Sequence, residues 1–181
     1  MSAGLVFLIS ILFDLYLWAI ILRIMLQVVR ADYYNPLSQL VIKLTDVPLK
    51  FFYKLLPYKK GIDYAGVAFG FLVVIVKVAL LLVLLGLPIG PIHLLFFSIL
   101  DFVQQLLSLY FYIIIVVAIA SWFVRGMGHP VLTVLAKVSD PVIQPIRKVV
   151  PTIAGLDFSP LIALILIKVV QIVIMQLTLG L

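Results

Sequence analysis

The chain has no cysteine and no glutamate, and charged residues make up only 11% of its 181 positions. The absence of cysteine excludes disulfide bonds, thiolate metal sites and a catalytic thiol. Apolar residues make up 66% of the chain, a composition that a soluble domain of this length could not accommodate on its surface. The protein is therefore expected to lie in a lipid bilayer.

Four apolar runs are long enough to cross a bilayer, which requires roughly 20 helical residues. They cover residues 4–29, 65–85, 94–124 and 159–179. The first run has no preceding basic residue and is far longer than a signal-peptide core, so we expect it to be retained as a span. The third contains Asp101, Gln104 and Gln105, which predicts an end that projects or lies at the membrane interface. The expected fold is an all-α polytopic membrane protein.

The sequence aligns with itself without a gap at an offset of 94 residues. Prolines, glycines and aspartates recur together, although each affects the backbone differently, so chance does not explain the match. We predict two repeats, residues 1–88 and 92–181, each consisting of a span, interfacial helices and a span. The recurring pairs include Pro36 and Pro130, Asp46 and Asp140, Lys54 and Lys148, Pro57 and Pro151, Gly61 and Gly155, and Asp63 and Asp157.

The net charge of +6 is concentrated in the loops after the first and third spans. The link at 86–91 and both tails carry no charged side chain. The positive-inside bias therefore places both loops in the cytoplasm and both termini in the periplasm. Because each repeat holds two spans, the copies have the same orientation, as parallel repeats about an axis along the membrane normal.

Each loop is predicted to form amphipathic interfacial helices. Asn35 is placed to cap a first helix that begins at Pro36, and the second loop begins likewise at Pro130. Asp46 and Asp140, each beside a hydroxyl residue, are then expected to cap a second short helix in each loop. These helices would lie in the headgroup layer with their cations toward anionic lipid.

The second copy carries the most specific motif in the chain. It comprises Ser121-Trp122, the stretch 140–147 with its aspartate, two prolines and arginine, Pro151, and the stretch 155–160. This pattern resembles the YggT family of small integral membrane proteins, also called YlmG, in its two-repeat proteobacterial form. The first copy departs from the pattern: Tyr53 replaces the arginine, and Ala65-Gly66 replaces serine-proline.

The resemblance implies a protein of the bacterial inner membrane, in a family without a settled catalytic activity. It also implies a link to osmotic and cation-related stress and, in plastids, to cytochrome assembly and nucleoid organisation. The residues that would form the motif and contact lipid or a partner are Asp140, Pro141, Pro145, Arg147, Lys148, Pro151, Gly155, Asp157, Ser159 and Pro160, with Asp46, Lys50, Lys54, Pro57, Gly61 and Asp63 in the first copy.

Deep polar side chains are the sharpest functional candidates, because a charge at mid-bilayer costs at least ~2.5 kcal/mol on insertion scales. At ~1.5 Å of rise per residue, Asp14 and Lys77 lie at nearly one level, roughly 22 and 18 Å from the cytoplasmic boundary. We predict that they pair, with Lys168 and Arg23 as alternative partners of Asp14. The pair either fixes helix packing or contributes to an ion pathway. The matching positions of the second repeat hold Ser108 and Gln171.

No catalytic, cofactor or metal site is expected. The sequence contains no Ser/His/Asp arrangement of the kind used in nucleophilic catalysis, no phosphate-binding loop and no cluster of metal ligands. The basic loops interleave cations with apolar residues, which favours anionic lipid over nucleic acid. Self-association and binding to other membrane proteins both stay open. Two functions follow: a non-enzymatic organising or assembly factor at the cytoplasmic leaflet, or a small channel or osmotic-stress cation transport component.

Overall fold

A computed structural model describes residues 3–56, 63–88, 90–123, 129–150 and 157–179. Within these segments the secondary structure is α-helical apart from short connections, as the sequence predicts. The six helices are α1 (Ala3–Val28), α2 (Pro36–Leu55), α3 (Tyr64–Leu85), α4 (Pro91–Phe123), α5 (Pro130–Arg147) and α6 (Ser159–Leu179).

Four of these helices, α1, α3, α4 and α6, are long and apolar enough to cross a membrane. Their bounds agree with the four predicted spans to within three residues at each end. The chain is therefore a multi-pass membrane protein. We call the end of the bundle that carries α2 and α5 the loop end, and the opposite end, where α1 begins and α6 ends, the terminal end.

Local capping groups set where several helices begin and end. The Asn35 side chain accepts a hydrogen bond from the backbone N–H of Leu37 at 3.0 Å and precedes Pro36, which confirms the predicted start of α2. Asp63 caps α3 by accepting from the N–H of Gly66 at 2.8 Å. Gly86 ends α3 with a φ of 69°, a conformation that glycine adopts without strain.

Each loop forms one continuous helix, so the prediction of two short helices per loop is wrong. Asp46 and Asp140 lie inside α2 and α5 instead of capping a second helix. Pro48, inside α2, removes one backbone hydrogen bond, but the buried positions Val41, Thr45 and Leu49 continue at a spacing of four on either side of it. Packing of this uninterrupted face against the spans outweighs the local helix-stopping signal.

The six helices pack in two similar groups of three. In the first half α1 contacts α2 and α3, and α2 contacts α3; in the second half α4 contacts α5 and α6, and α5 contacts α6. Each half has a small buried cluster, and the members of one lie 94 positions before those of the other. The first cluster contains Ile20, Leu49 and Phe69, and the second contains Ile114, Ile143 and Ala163.

The two halves meet around α1 and α4. A larger buried cluster joins residues of five helices, among them Leu17, Val41, Val74, Leu109 and Val138. At the loop end the Asn35 side-chain amide donates to the carbonyl of Pro130 at 2.7 Å, which links the starts of α2 and α5. Trp18 on α1 and Tyr112 on α4 are 94 positions apart in sequence, and the centres of their rings lie 5.3 Å from each other.

Candidate functional site: a buried ion cluster between three spans

Lys77 lies inside the bundle between two carboxylates. Its Nζ is 2.5 Å from Asp14 Oδ1, which confirms the predicted pairing of these residues. The same nitrogen lies 2.8 and 3.0 Å from the two carboxylate oxygens of Asp101. Lys77 is only 5% exposed, so the lysine is enclosed while both aspartates keep partial exposure. We call these three residues the ion cluster.

Asp101 is the member that the sequence reasoning missed. Its expected place, on a projecting or interfacial end of α4, is wrong, because it lies within the bundle. The sequence does contain a signal for the proximity of Asp101 to Lys77, namely the short connection between α3 and α4. Lys77 precedes Gly86 by about as many residues as separate Pro91 from Asp101, so a tight helical hairpin places the two side chains at one level.

The ion cluster holds two carboxylates and one ammonium group, an excess of one formal negative charge. It lines a cleft of about 570 Å³ that extends toward the terminal end, past Ser10, Leu82 and Thr178. Gln104 Oε1 lies in the same cleft and has no hydrogen-bond partner among the described residues. Because isolated buried charge is expensive, the lysine is required for both aspartates to lie at this depth as carboxylates.

The equivalent position of the second half holds a neutral contact. Gln171 Nε2 donates to Ser108 Oγ at 2.9 Å, and these residues correspond to Lys77 and Asp14 at the offset of 94. The two halves therefore place the same helix-to-helix contact at the same level. One contact is ionic and the other is a neutral hydrogen bond.

Lys168 and Arg23, the alternative partners proposed for Asp14, make other contacts. Lys168 is exposed, and its ammonium lies 4.2 Å from the centre of the Phe111 ring in a cation–π arrangement. Arg23 is buried near the loop end, where Nη1 donates to Thr45 at 2.8 Å and Nη2 lies 3.4 Å from Asp46. Neither cation belongs to the ion cluster.

At the loop end, the same positions of the two halves make the same contact with different side chains. Tyr53 Oη donates to Asp63 Oδ2 at 2.6 Å, and in the second half Arg147 Nε donates to Asp157 Oδ2 at 2.9 Å. Burial, reinforced by the hydrogen bond to Asp63, raises the pKa of Tyr53. The replacement of arginine by Tyr53 thus preserves the contact while exchanging an ion pair for a neutral donor.

The remaining aspartates of the motif divide into capping and pairing groups. Asp157 accepts from the N–H of Ser159 at 2.9 Å and so caps the start of α6. Asp46 pairs with Lys50 at 3.0 Å as well as with Arg23. The hydrogen bond from Lys50, with a smaller contribution from Arg23, lowers the pKa of Asp46.

The other residues of the predicted motif differ in exposure, and several lie outside the described segments. Lys54, Pro141, Pro145 and Lys148 are exposed, Ser159 is buried and Pro160 is partly buried in the first turn of α6. Pro57, Gly61, Pro151 and Gly155 lie outside the described residues. Within the described segments there is no group of three potential metal ligands.

A model of a known protein family matches the chain. The family model described as CCB3/YggT matches twice, over residues 2–85 and 96–178. The chain belongs to the CCB3/YggT family. The two matches to this family model begin 94 residues apart, the offset at which the sequence aligns with itself. The division into repeats at 1–88 and 92–181 stays a prediction.

Relatives in the CCB3/YggT family span nearly the same length. The chain is 33% identical to the uncharacterized protein YggT of Escherichia coli K12, over 92% of this chain and 87% of the relative. It is 36% identical to an uncharacterized protein in the proC 3′ region of Vibrio alginolyticus, over 88% and 86% of the two chains. An uncharacterized protein of Pseudomonas aeruginosa is 32% identical, over 97% and 90%. No solved structure matches the chain significantly.

Proposed function

We propose that the protein is a non-enzymatic organising or assembly factor of the bacterial inner membrane, acting at the cytoplasmic leaflet during osmotic or envelope stress. The observation that supports this role is the pairing of α2 and α5 at one end of the bundle, joined through Asn35 and Pro130. The two helices expose different surfaces, so together they fit a membrane-attached platform.

The exposed face of α2 fits insertion into a leaflet. Five large apolar side chains follow one another at helical spacing and are more than half exposed: Leu40, Leu44, Val47, Phe51 and Leu55. A stripe of this kind on a helix lying at the headgroup layer is buried by the acyl boundary. Lys50 and Lys54 beside it would then meet anionic headgroups.

The exposed face of α5 is polar and fits a water-facing contact. Gln144, Arg147 and Lys148 are all exposed in its last turn or at its end. The proposed arrangement therefore has α2 in the leaflet and α5 presenting cations to anionic lipid or to a protein partner. Both loops would be cytoplasmic and both termini periplasmic.

The orientation is tested by adding single cysteines to the naturally cysteine-free chain. Leu87→Cys should react with a membrane-impermeant thiol reagent from the periplasmic side, and Lys137→Cys only after the cytoplasmic side is opened. Labelling of position 87 from the cytoplasm alone would overturn the orientation and with it the leaflet assignment.

The role itself is tested in cells that lack their own copy of the protein. The paired variant Lys54→Gln/Lys148→Gln should lose protection at high osmolarity and lose crosslinks to its partner in native membranes. Lys43→Gln/Lys137→Gln is the matched control, because it removes the same charge at equivalent positions of both halves. Equal behaviour of the two variants would contradict the proposal.

A cation transport component is the second candidate, and the ion cluster favours it. An excess of one carboxylate in a cleft at membrane depth attracts a cation. The purified protein in vesicles should then conduct monovalent cations, and Asp101→Asn should abolish the flux. A folded Asp14→Ser/Lys77→Gln/Asp101→Asn variant with full flux would exclude the ion cluster as the pathway, while flux lost with Asp101 would overturn the ranking above.

A further inference from the structure

A second cleft, of about 490 Å³, lies at the loop end between the last turns of α1, the connection after it and α2. Its polar lining comes from Arg23, Gln27, Arg30, Ser38 and Asp46. It is separate from the ion cluster, which opens toward the terminal end. Neither the family match nor the proposed attachment of α2 assigns a role to it.

Three buried polar atoms of this cleft lack hydrogen-bond partners within the described parts of the chain: Arg23 Nε, Gln27 Oε1 and Ser38 Oγ. Arg23 is 8% exposed and Ser38 is 4% exposed. Buried donors and acceptors are nearly always paired in native proteins, because an unpaired one loses its hydration without compensation. Three such atoms around one cleft therefore indicate a ligand with complementary polar groups.

The charge of the cleft indicates an anion. Asp46 is already paired with both Arg23 and Lys50, so its negative charge is compensated. Arg30 adds a further positive charge at the rim and has a φ of 49°, a left-handed conformation that is uncommon for residues other than glycine.

We propose that this cleft binds a phosphate group, that of an anionic phospholipid at the membrane surface. Arg23 Nε and Ser38 Oγ donate to phosphate oxygens, Arg30 supplies the net charge, and Gln27 Oε1 accepts from a headgroup hydroxyl. The inference rests on the proposed function in placing the loop end at a leaflet. It adds a defined site for one lipid headgroup where the proposed function requires only a charged surface.

No equivalent set of side chains occurs among the described residues of the second half. The positions equivalent to Arg23, Gln27 and Ser38 hold Val117, Ser121 and Leu132. Two of these three residues cannot form a hydrogen bond through their side chains. The structure thus assigns the headgroup site to the first half.

The test is native mass spectrometry of the full-length protein in detergent, titrated with phosphatidylglycerol. Arg30→Gln and Ser38→Ala should each weaken binding of the first lipid by about tenfold, the effect expected from one charge-assisted contact. Lys137→Gln and Ser98→Ala are the matched controls and should bind like the wild type. Lys137 is an exposed cation outside the cleft, and Ser98 is another buried serine without a partner among the described residues.

Phosphatidylcholine and inorganic phosphate identify the source of the phosphate group. Weak binding of phosphatidylcholine, with no competition from millimolar inorganic phosphate, assigns the site to anionic lipid. Competition by inorganic phosphate that depends on Arg30 and Ser38 keeps the phosphate site and assigns it to a soluble ligand. Binding of all variants equal to the wild type, or an equal loss in the controls, overturns the proposal.

The outcome is separable from that of the proposed function. The titration uses purified protein and does not depend on stress protection in cells. Loss of headgroup binding in Ser38→Ala supports the site whether or not osmotic protection is retained, because the proposed function requires only a charged surface. Retained protection in Lys54→Gln/Lys148→Gln would contradict the proposed function alone. Intact binding in Arg30→Gln and Ser38→Ala would contradict the site alone.

Discussion

The two halves of the molecule use the same contacts with different chemistry. Where α1 meets α3, Asp14 and Lys77 form an ion pair within the ion cluster; where α4 meets α6, Ser108 and Gln171 form a neutral hydrogen bond. The loop end shows the reverse, because Tyr53 bonds Asp63 through a neutral group and Arg147 bonds Asp157 through a charged one. The same packing of helices thus occurs with either kind of contact, and we expect that the fold does not require the buried charge of Asp14 and Lys77.

Among the changes that test this difference between the halves, removal of Lys77 should have the largest effect on stability. Lys77→Met leaves two carboxylates without a counter-charge in the bundle, and we expect a loss of about 3–5 kcal/mol in the free energy of unfolding. Reversible unfolding in detergent micelles measures it. The triple variant Asp14→Ser/Lys77→Gln/Asp101→Asn imitates the neutral second half and should recover most of this loss. A triple variant as unstable as Lys77→Met would show that the charges, and not their imbalance, hold the helices together.

Substitution of the two loop-end aspartates should lower the free energy of unfolding by different amounts, because one of them is more deeply buried. Asp63 is 1% exposed, caps α3 and accepts from Tyr53, so Asp63→Ala should cost about 2 kcal/mol. Asp157 is partly exposed, and Asp157→Ala should cost about 1 kcal/mol, because its cap and surface ion pair are each worth less in contact with water. The same unfolding measurement compares them. A larger loss in Asp157→Ala would reverse the assignment of the stronger contact to the first half.

Loss of the neutral contact between α4 and α6 should lower the free energy of unfolding by a smaller amount. Gln171→Leu removes the hydrogen bond to Ser108 and should cost about 0.6 kcal/mol, the average found for hydrogen bonds between membrane helices. Ser108→Ala should have an effect of the same size, and the double variant should be no worse than the sum of the two. A loss comparable with that of Lys77→Met would mean that the halves do not differ in energy as they do in charge.

Acid should produce the smallest effect, at the loop end of both halves. Burial alone would raise the pKa of Asp157, but hydrogen bonds from Ser159 and the Arg147 guanidinium outweigh it, and the pKa is lowered. The pKa of Asp46 is lowered too. A folded pKa below the unfolded value, about 3.9 for aspartate, gives stabilisation that is present above that value and is lost as the pH falls through the folded pKa.

The measurement of this acid effect is the thermal midpoint between pH 7 and pH 3. It should fall below about pH 4, and Asp46→Asn and Asp157→Asn should each flatten the fall. An unchanged slope in both variants would show that other groups carry the acid sensitivity.

The sequence predicts most of the fold because its signals are periodic or local. The spans follow from apolar runs, and the start of α2 follows from Asn35. The pairing of Asp14 with Lys77 follows from helical rise alone. Asp101 was missed because its pairing depends on which helices are neighbours and how each is rotated, and the apolar pattern, which is nearly uniform around these spans, does not specify rotation.

The helices α2 and α5 show the opposite case, in which tertiary packing outweighs a strong local signal in the sequence. Asp46 followed by Pro48 has the composition of a helix start, yet it lies within α2. The deciding interactions are distant in sequence: Arg23 on α1 pairs with Asp46, and the face containing Val41 and Leu49 packs on the spans. The headgroup cleft beside them could not be predicted either, because it depends on which polar atoms the packing leaves without partners.

The contact between Trp18 and Tyr112 bears on how the ionic asymmetry can arise. These rings hold matching places in the two halves and touch each other, as one residue and its own copy would in a symmetric dimer of half-length chains. In such a dimer every substitution occurs twice, so an ion cluster would have to be built on both sides at once. A single chain containing both halves escapes that constraint, so it can join Asp14 and Lys77 of the first half to Asp101 of the second half in one ion cluster, without a second cluster at the equivalent positions.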